Sequence, residues 1–150
     1  MDAVPYVAVI GPSVATDQEV AHAEAIGRLL AAEGAVVVCG GLGGVMEAVS
    51  RGATSAGGTV LGILPGADRS EANEHVTVVL TTGMGEMRNT LVVRAADVLI
   101  AVGGAYGTLS EIAFALRTGV PVIGIDSWDL DDVIDAPDPE GAVALALELA

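Results

Sequence analysis

Two charged side chains and two clusters of small residues have the types and spacing to handle a phosphorylated ligand. Arg88 carries a planar fork of N–H donors suited to a phosphate or a leaving group. Glu111 is a carboxylate that could take sugar hydroxyls or steady positive charge developing at a sugar carbon. Just ahead of Glu111, Gly103-Gly104-Ala105-Tyr106-Gly107-Thr108 places three glycines within five residues. A glycine-rich turn between a strand and a helix leaves backbone N–H groups unpaired and aimed one way, at the positive end of the helix dipole. That is an anion site, most often for phosphate. A second stretch, Gly40-Gly41-Leu42-Gly43-Gly44-Val45-Met46, lets the backbone approach a ligand and opens the next helix toward it. Ser13, in the turn Gly11-Pro12-Ser13, and Met87, beside Arg88, complete the candidate contacts.

Each feature also has a plainer account. Glycine-rich turns serve strand-to-helix connections with no ligand, and Arg88 could be a surface residue paired with Glu86. Thr108 and Glu111 form the Thr-x-x-Glu pattern of a capping box, with Thr108 as N-cap and Glu111 folding back on its N–H. Other chemistries lack their residues. The dinucleotide fingerprint GxGxxG fails at Leu42, and the strand Thr59 to Leu64 brings no acidic residue for a ribose. A P-loop needs a lysine, and the chain has none. NAD binding and ATP hydrolysis are therefore set aside. His22 and His75 are far apart with no triad spacing, and the single Cys39 ends a buried strand, so all three read as structural. Arg28, Arg51, Arg94 and Arg117 read as surface residues, and Arg69 lies in a polar loop. Neither a metal nor an organic cofactor is expected.

The elements that must position these groups alternate along the chain. Strands are expected at Tyr6 to Ile10, Ala35 to Cys39, Thr59 to Leu64, His75 to Leu80, Val98 to Val102 and Pro121 to Ile125. Helices are expected at Asp17 to Ala32, Val45 to Ser55, Gly85 to Ala96, after Thr108, and at Ala142 to Ala150. Ala67 to Glu74 reads as a polar loop, and Asp126 to Glu140, with seven of the acidic residues, as a surface segment. Continuously apolar strands alternating with helices predict an α/β, Rossmann-like, doubly wound parallel sheet in a single domain over residues 1–150. Such sheets bind ligands beyond the carboxyl ends of their strands, where Gly11 to Ser13, Gly40 to Gly44 and Gly103 to Thr108 would converge.

Composition limits the partners. Of 150 residues 52% are hydrophobic, and the net charge is −14 from 20 acidic residues against six arginines. Such a surface repels nucleic acid and anionic lipid. No apolar run reaches the roughly 18 residues of a membrane span, and no basic residue precedes the first apolar run, so a cytoplasmic location is expected. Self-repulsion at this charge is relieved when molar salt shortens the Debye length to about 3 Å, which suggests a high-salt cytoplasm.

Met87 to Glu111, MRNTLVVRAADVLIAVGGAYGTLSE, resembles the LOG-type proteins once called lysine decarboxylases, whose pattern is Arg-Lys followed by PGGxGTxxE. Cys39 to Met46 is similar to that family's earlier GGGxxGLM. The resemblance implies a Rossmann-like homodimer that hydrolyses the N-glycosidic bond of nucleoside 5′-monophosphates to base and ribose 5-phosphate. By position Arg88 and Glu111 match the catalytic pair, Gly104, Gly107 and Thr108 the phosphate loop, and Gly41, Gly44 and Met46 the first loop. Asn89 replaces the lysine, Gly103 the proline, Ala105 a glycine, Cys39 a glycine and Glu47 the last glycine of the first motif. VGGAYGTLSEIAFAL looks more like an uncharacterised branch of this superfamily, to which the molybdenum-cofactor carrier proteins are also similar. The alternative to hydrolysis is then a carrier or sensor of a nucleotide or a molybdopterin-type cofactor.

Overall fold

The computed structural model describes residues 3–150. Seven strands, β1 (Tyr6–Ile10), β2 (Val36–Cys39), β3 (Thr59–Leu64), β4 (Val78–Thr81), β5 (Val98–Val102), β6 (Val122–Ile125) and β7 (Val133–Asp135), form one sheet. Its order is β4-β3-β2-β1-β5-β6-β7, and every pairing is parallel. Five helices cover it: α1 (Asp17–Ala32), α2 (Val45–Ser55), α3 (Asn89–Arg94), α4 (Tyr106–Arg117) and α5 (Pro139–Leu149). Valines and isoleucines dominate the strands because a sheet buried on both faces needs stiff, β-branched side chains on each. On one face Val7, Val9, Val37 and Ile100 meet Ile26 and Leu30 of α1, Val49 of α2 and Ala146 of α5. On the other, Ala8, Ile10, Val38 and Leu99 meet Val92 and Val93 of α3 and Ile112 and Ala115 of α4. This is the doubly wound, Rossmann-like α/β architecture.

The chain builds outward from β1 to β4 and then crosses back to lay β5 on the other side of β1. Beyond the carboxyl ends of β1 and β5, successive connections leave in opposite directions and a crevice opens at this switch point. Close helix packing brings α2 to the crevice. A Cβ on Gly27 of α1 would lie 2.1 Å from the Val49 carbonyl oxygen, and one on Gly52 of α2 would lie 2.0 Å from that of Glu24. The two backbones touch where no side chain fits.

Several elements differ from the sequence expectation. β4 is shorter than His75 to Leu80. The Thr77 hydroxyl accepts the Val60 N–H (2.7 Å), the group a strand carbonyl would otherwise take, so the ladder starts after it. β4 is also an edge strand with Val78 and Leu80 exposed, rather than one buried on both faces. The helix expected over Gly85 to Ala96 is a 3₁₀ turn, Gly85–Arg88, followed by the short α3. The acidic segment after β6 contains β7, paired in parallel with β6 through Ile123 and Ile134. α5 begins three residues early because Asp138 caps it, accepting the Gly141 N–H at 2.7 Å, with Pro139 in the first turn.

Candidate functional site

Arg88 is the buried cation of the crevice. Its side chain is drawn inward by the tight Gly85–Arg88 turn and is only 8% exposed. Nε donates to the Ile63 carbonyl at 2.9 Å, Nη2 to the Gly40 carbonyl at 3.4 Å, and Nη1 to Asn89 Oδ1. Two elements and a loop thus grip one guanidinium. Gly40 is small for this reason: a Cβ there would lie 2.7 Å from Arg88 Nη2 and 2.6 Å from Met46 Sδ. Each terminal nitrogen keeps one N–H beyond these bonds. Among the described residues Arg88 forms no salt bridge. Burial pulls the guanidinium below its ordinary value, and Glu111, then Cys39 and Glu86, pull it back up. Arginine stays charged through shifts of this kind.

Glu111 lies on α4 at the same crevice, half-buried, and its carboxyl is pushed up to about 7. Burial raises it and the Arg88 charge opposes that rise. The capping-box account of this residue is overturned. α4 starts at Tyr106 with Ala105 as N-cap and no side-chain cap, so Thr108 is already helical and buried. The first turn is held from afar: Trp128 Nε1 donates to the Ala105 carbonyl at 3.2 Å, and its ring stacks on Tyr106 at a centroid distance of 6.1 Å. The chain's capping box is at Thr16 and Glu19, at the start of α1.

α1 and α5 have side-chain caps at their N-termini, whereas α2, α3 and α4 have none. All three uncapped ends meet the crevice. At α4 the Tyr106, Gly107 and Thr108 N–H groups begin the helix. At α2 the Val45 N–H is taken by the Pro12 carbonyl (3.1 Å), which locks the β1 turn against the second glycine loop. Asn73 fixes that loop from the far side, its N–H donating to the Gly41 carbonyl and its amide to the Leu42 carbonyl, both at 2.9 Å.

The result is a cleft of about 320 Å³. Ser13, Gly40, Met46, Arg88, Ala105, Gly107, Thr108 and Glu111 line it together. Gly41, Gly44, Gly103, Gly104 and Met87 do not. Gly41 packs on Leu64, Gly44 on the Pro12 and Ser13 carbonyls, Gly103 against Glu19 and Gly104 against Trp128, while Met87 lines a neighbouring cavity. Glu86, Asn89, Leu42, Pro12 and Pro65 also line the cleft, and the sequence reading did not single them out as contacts. Asn89, next to Arg88, was visible only as a departure from a pattern. Pro65, at the end of β3, carried no chemical signal.

Cys39 and His75 do not line the cleft. Cys39 is fully buried beside Ser50, and burial pushes its thiol up. His75 approaches Glu74 at 3.5 Å. No described helix is long and apolar enough to cross a membrane.

With the cleft defined, comparison with known proteins places the chain. The model of the SLOG cluster4 family matches residues 4–148. An uncharacterized protein from Archaeoglobus fulgidus is 43% identical over 119 residues, 79% of this chain and 78% of that protein. The structure of the molybdenum cofactor binding protein from Rippkaea orientalis superposes with a TM-score of 0.93 at 36% identity, covering 97% of each chain. The Moco carrier protein from Chlamydomonas reinhardtii gives a TM-score of 0.89 at 31% identity over 98% of each chain. A family model spanning nearly the whole described chain, with relatives matched end to end, identifies this protein as a member of the SLOG cluster4 family.

Proposed function

We propose that this protein binds a phosphorylated small molecule of the molybdenum-cofactor class in the switch-point cleft and carries it without cleaving it. The observation that carries this reading is the buried Arg88, whose unused N–H groups have no carboxylate partner among the described residues. A buried charge in this state favours an anion that completes its coordination. In the proposal, phosphate oxygens take the two free Arg88 N–H groups and the first amides of α4. In its protonated form, which gains population as pH falls below about 7, Glu111 tolerates the anion beside it and can donate its proton to a phosphate oxygen. The likeness to cofactor binding and carrier proteins supports the ligand class.

Gly103 weighs against the hydrolase pattern. Its φ of +68° is open to glycine and closed to proline, so the PGG turn of that pattern does not fit the path of this loop. Hydrolysis of nucleoside 5′-monophosphates is the second reading, favoured by Arg88 and Glu111 lining one cleft with Glu111 poised near neutrality. One experiment separates them. Purified protein is titrated calorimetrically with molybdopterin and with AMP, GMP, CMP and IMP in molar KCl, and the nucleotide mixtures are assayed for free base. Saturable binding, weakened about 10- to 100-fold in Arg88→Ala, with no base released, is expected from charge-assisted hydrogen bonds of about 1.5–3 kcal/mol. Base release that disappears in Glu111→Ala would replace the carrier with the enzyme.

A homo-oligomer is part of the proposal. Val78, Leu80 and Met84 are exposed apolar residues on and just after the edge strand β4, where a second copy could pack. Light scattering behind size exclusion tests it, and a monomer at all concentrations would remove it.

A further inference from the structure

The indole of Trp128 meets three successive residues of the turn that leads into α4. Its Nε1 donates to the Ala105 carbonyl at 3.2 Å, its ring stacks on Tyr106 with planes 25° apart, and a Cβ on Gly104 would lie 3.1 Å from Nε1. The Ala105 carbonyl thus takes two donors, the indole and the Leu109 N–H at 3.0 Å that opens the helix ladder. Trp128 is itself held. The chain leaves β6 through Asp126 at φ +48°, a left-handed conformation that aspartate tolerates, and it is tied down again where β7 pairs with β6. The ring packs on the core face that α3 and α4 cover. Trp128 does not line the cleft; it borders a separate cavity beside β6 and β7.

Ala105, Gly107 and Thr108 of the same turn line the cleft. A planar trans peptide carries its C=O and N–H in opposite directions. Holding the Ala105 oxygen therefore also aims the Tyr106 N–H, the first amide of α4, and a donor on that oxygen polarises the N–H into a stronger donor. Ala105 has no side-chain oxygen to cap the helix, and glycines stand at 103, 104 and 107. The turn is fixed from outside, by the indole and by the Gly103 N–H bond to the Ile125 carbonyl at 3.0 Å. We propose that Trp128 is a positioning residue for the anion: from behind the cleft it fixes the turn over residues 104–106, so that the first amides of α4 are aimed before a phosphate arrives. It acts through the backbone and does not touch the ligand. This inference rests on the phosphate placement proposed above and adds what holds the amides in place.

The test compares ¹⁵N-labelled wild type with Trp128→Phe, which keeps an aromatic ring over Tyr106 and removes the N–H donor. Both are titrated with inorganic phosphate and with AMP, and the titrations are followed by NMR. The chain has one tryptophan, so the indole N–H gives a single resonance. In wild type, phosphate should shift that resonance together with the Gly107 and Thr108 amides, with one common Kd. In Trp128→Phe the Kd for both ligands should rise about three- to tenfold, the effect of one lost hydrogen bond. Hydrogen exchange of the ligand-free variant should quicken at the Leu109 amide and stay unchanged in β1 and β5. Phosphate bound as tightly by Trp128→Phe as by wild type overturns the role of Trp128 and leaves the phosphate site standing. Weaker binding with exchange quickened in β1 and β5 as well also overturns it, because the indole would then be supporting the fold at large. Failure of wild type to bind either ligand overturns the phosphate placement and this role with it.

Discussion

Glu111 makes the site sensitive to pH. Its folded value of about 7 lies above the ordinary 4.5, so between those values the folded protein holds a proton that the unfolded chain has released. Stability from this group is therefore lost as pH rises through that window, and above about 7 the buried charge opposes folding. Glu111→Gln should raise the melting temperature at pH 8, by an effect on the order of 3 kcal/mol at most, and change it little at pH 4.5. Thermal melts across pH 4.5–8 check this; an effect equal at both ends would contradict it. Phosphate affinity should follow the same proton, increasing as pH falls from 8 toward 6.5 in wild type. Much of that slope should vanish in Glu111→Gln, with calorimetry as the readout.

At the scale of elements, the loop after β5 is built around Gly103. A Cβ there would collide with the Glu19 carboxylate, and its backbone is of the hand that proline cannot adopt. Gly103→Pro should destabilise the fold by about 3 kcal/mol or more, read as a shift in the urea midpoint. Gly52→Ala, which drives a methyl into the Glu24 carbonyl across the α1–α2 contact, should cost about 1–3 kcal/mol in the same measurement. These two sites also show what the sequence could reveal. Apolar runs and helical periodicity located β1, α1, α2, β3 and β5 at their observed bounds, because burial on two faces or one leaves a direct mark on residue type. Glycine clusters likewise marked the strand ends that meet at the cleft. What was hidden depends on distant partners. Trp128 bonds the carbonyl of the residue that precedes α4, Thr77 takes the Val60 N–H ahead of β4, and β7 pairs with β6 despite its acidic surroundings. Arg88 and Glu111 were legible as chemistry, but the inward turn that buries the arginine rests on a contact with Ile63, 25 positions away.

Over the whole molecule, the charge of −14 is borne by a chain whose arginine–carboxylate ion pair among the described residues is Arg51 with Glu24, at 3.3 Å. Isolated pairs of this kind contribute little against the summed repulsion. Raising KCl from low to molar concentration should therefore increase the melting temperature by several degrees; an unchanged or falling value would remove the high-salt reading. The acidic surface also repels a free anionic ligand at long range, and screening that field should speed its association.

For the proposed ligand, the grip on Arg88 would set the timing of capture. Because Ile63 and Gly40 hold the guanidinium with their carbonyls, the receptor is assembled when β3 and the second glycine loop come together, before any ligand arrives. An incoming phosphate then meets donors already aimed, with little backbone left to order. In the proposed carrier, loading and unloading would be matters of encounter and escape, and surrendering a cargo intact would be served by a pocket that keeps its shape between ligands.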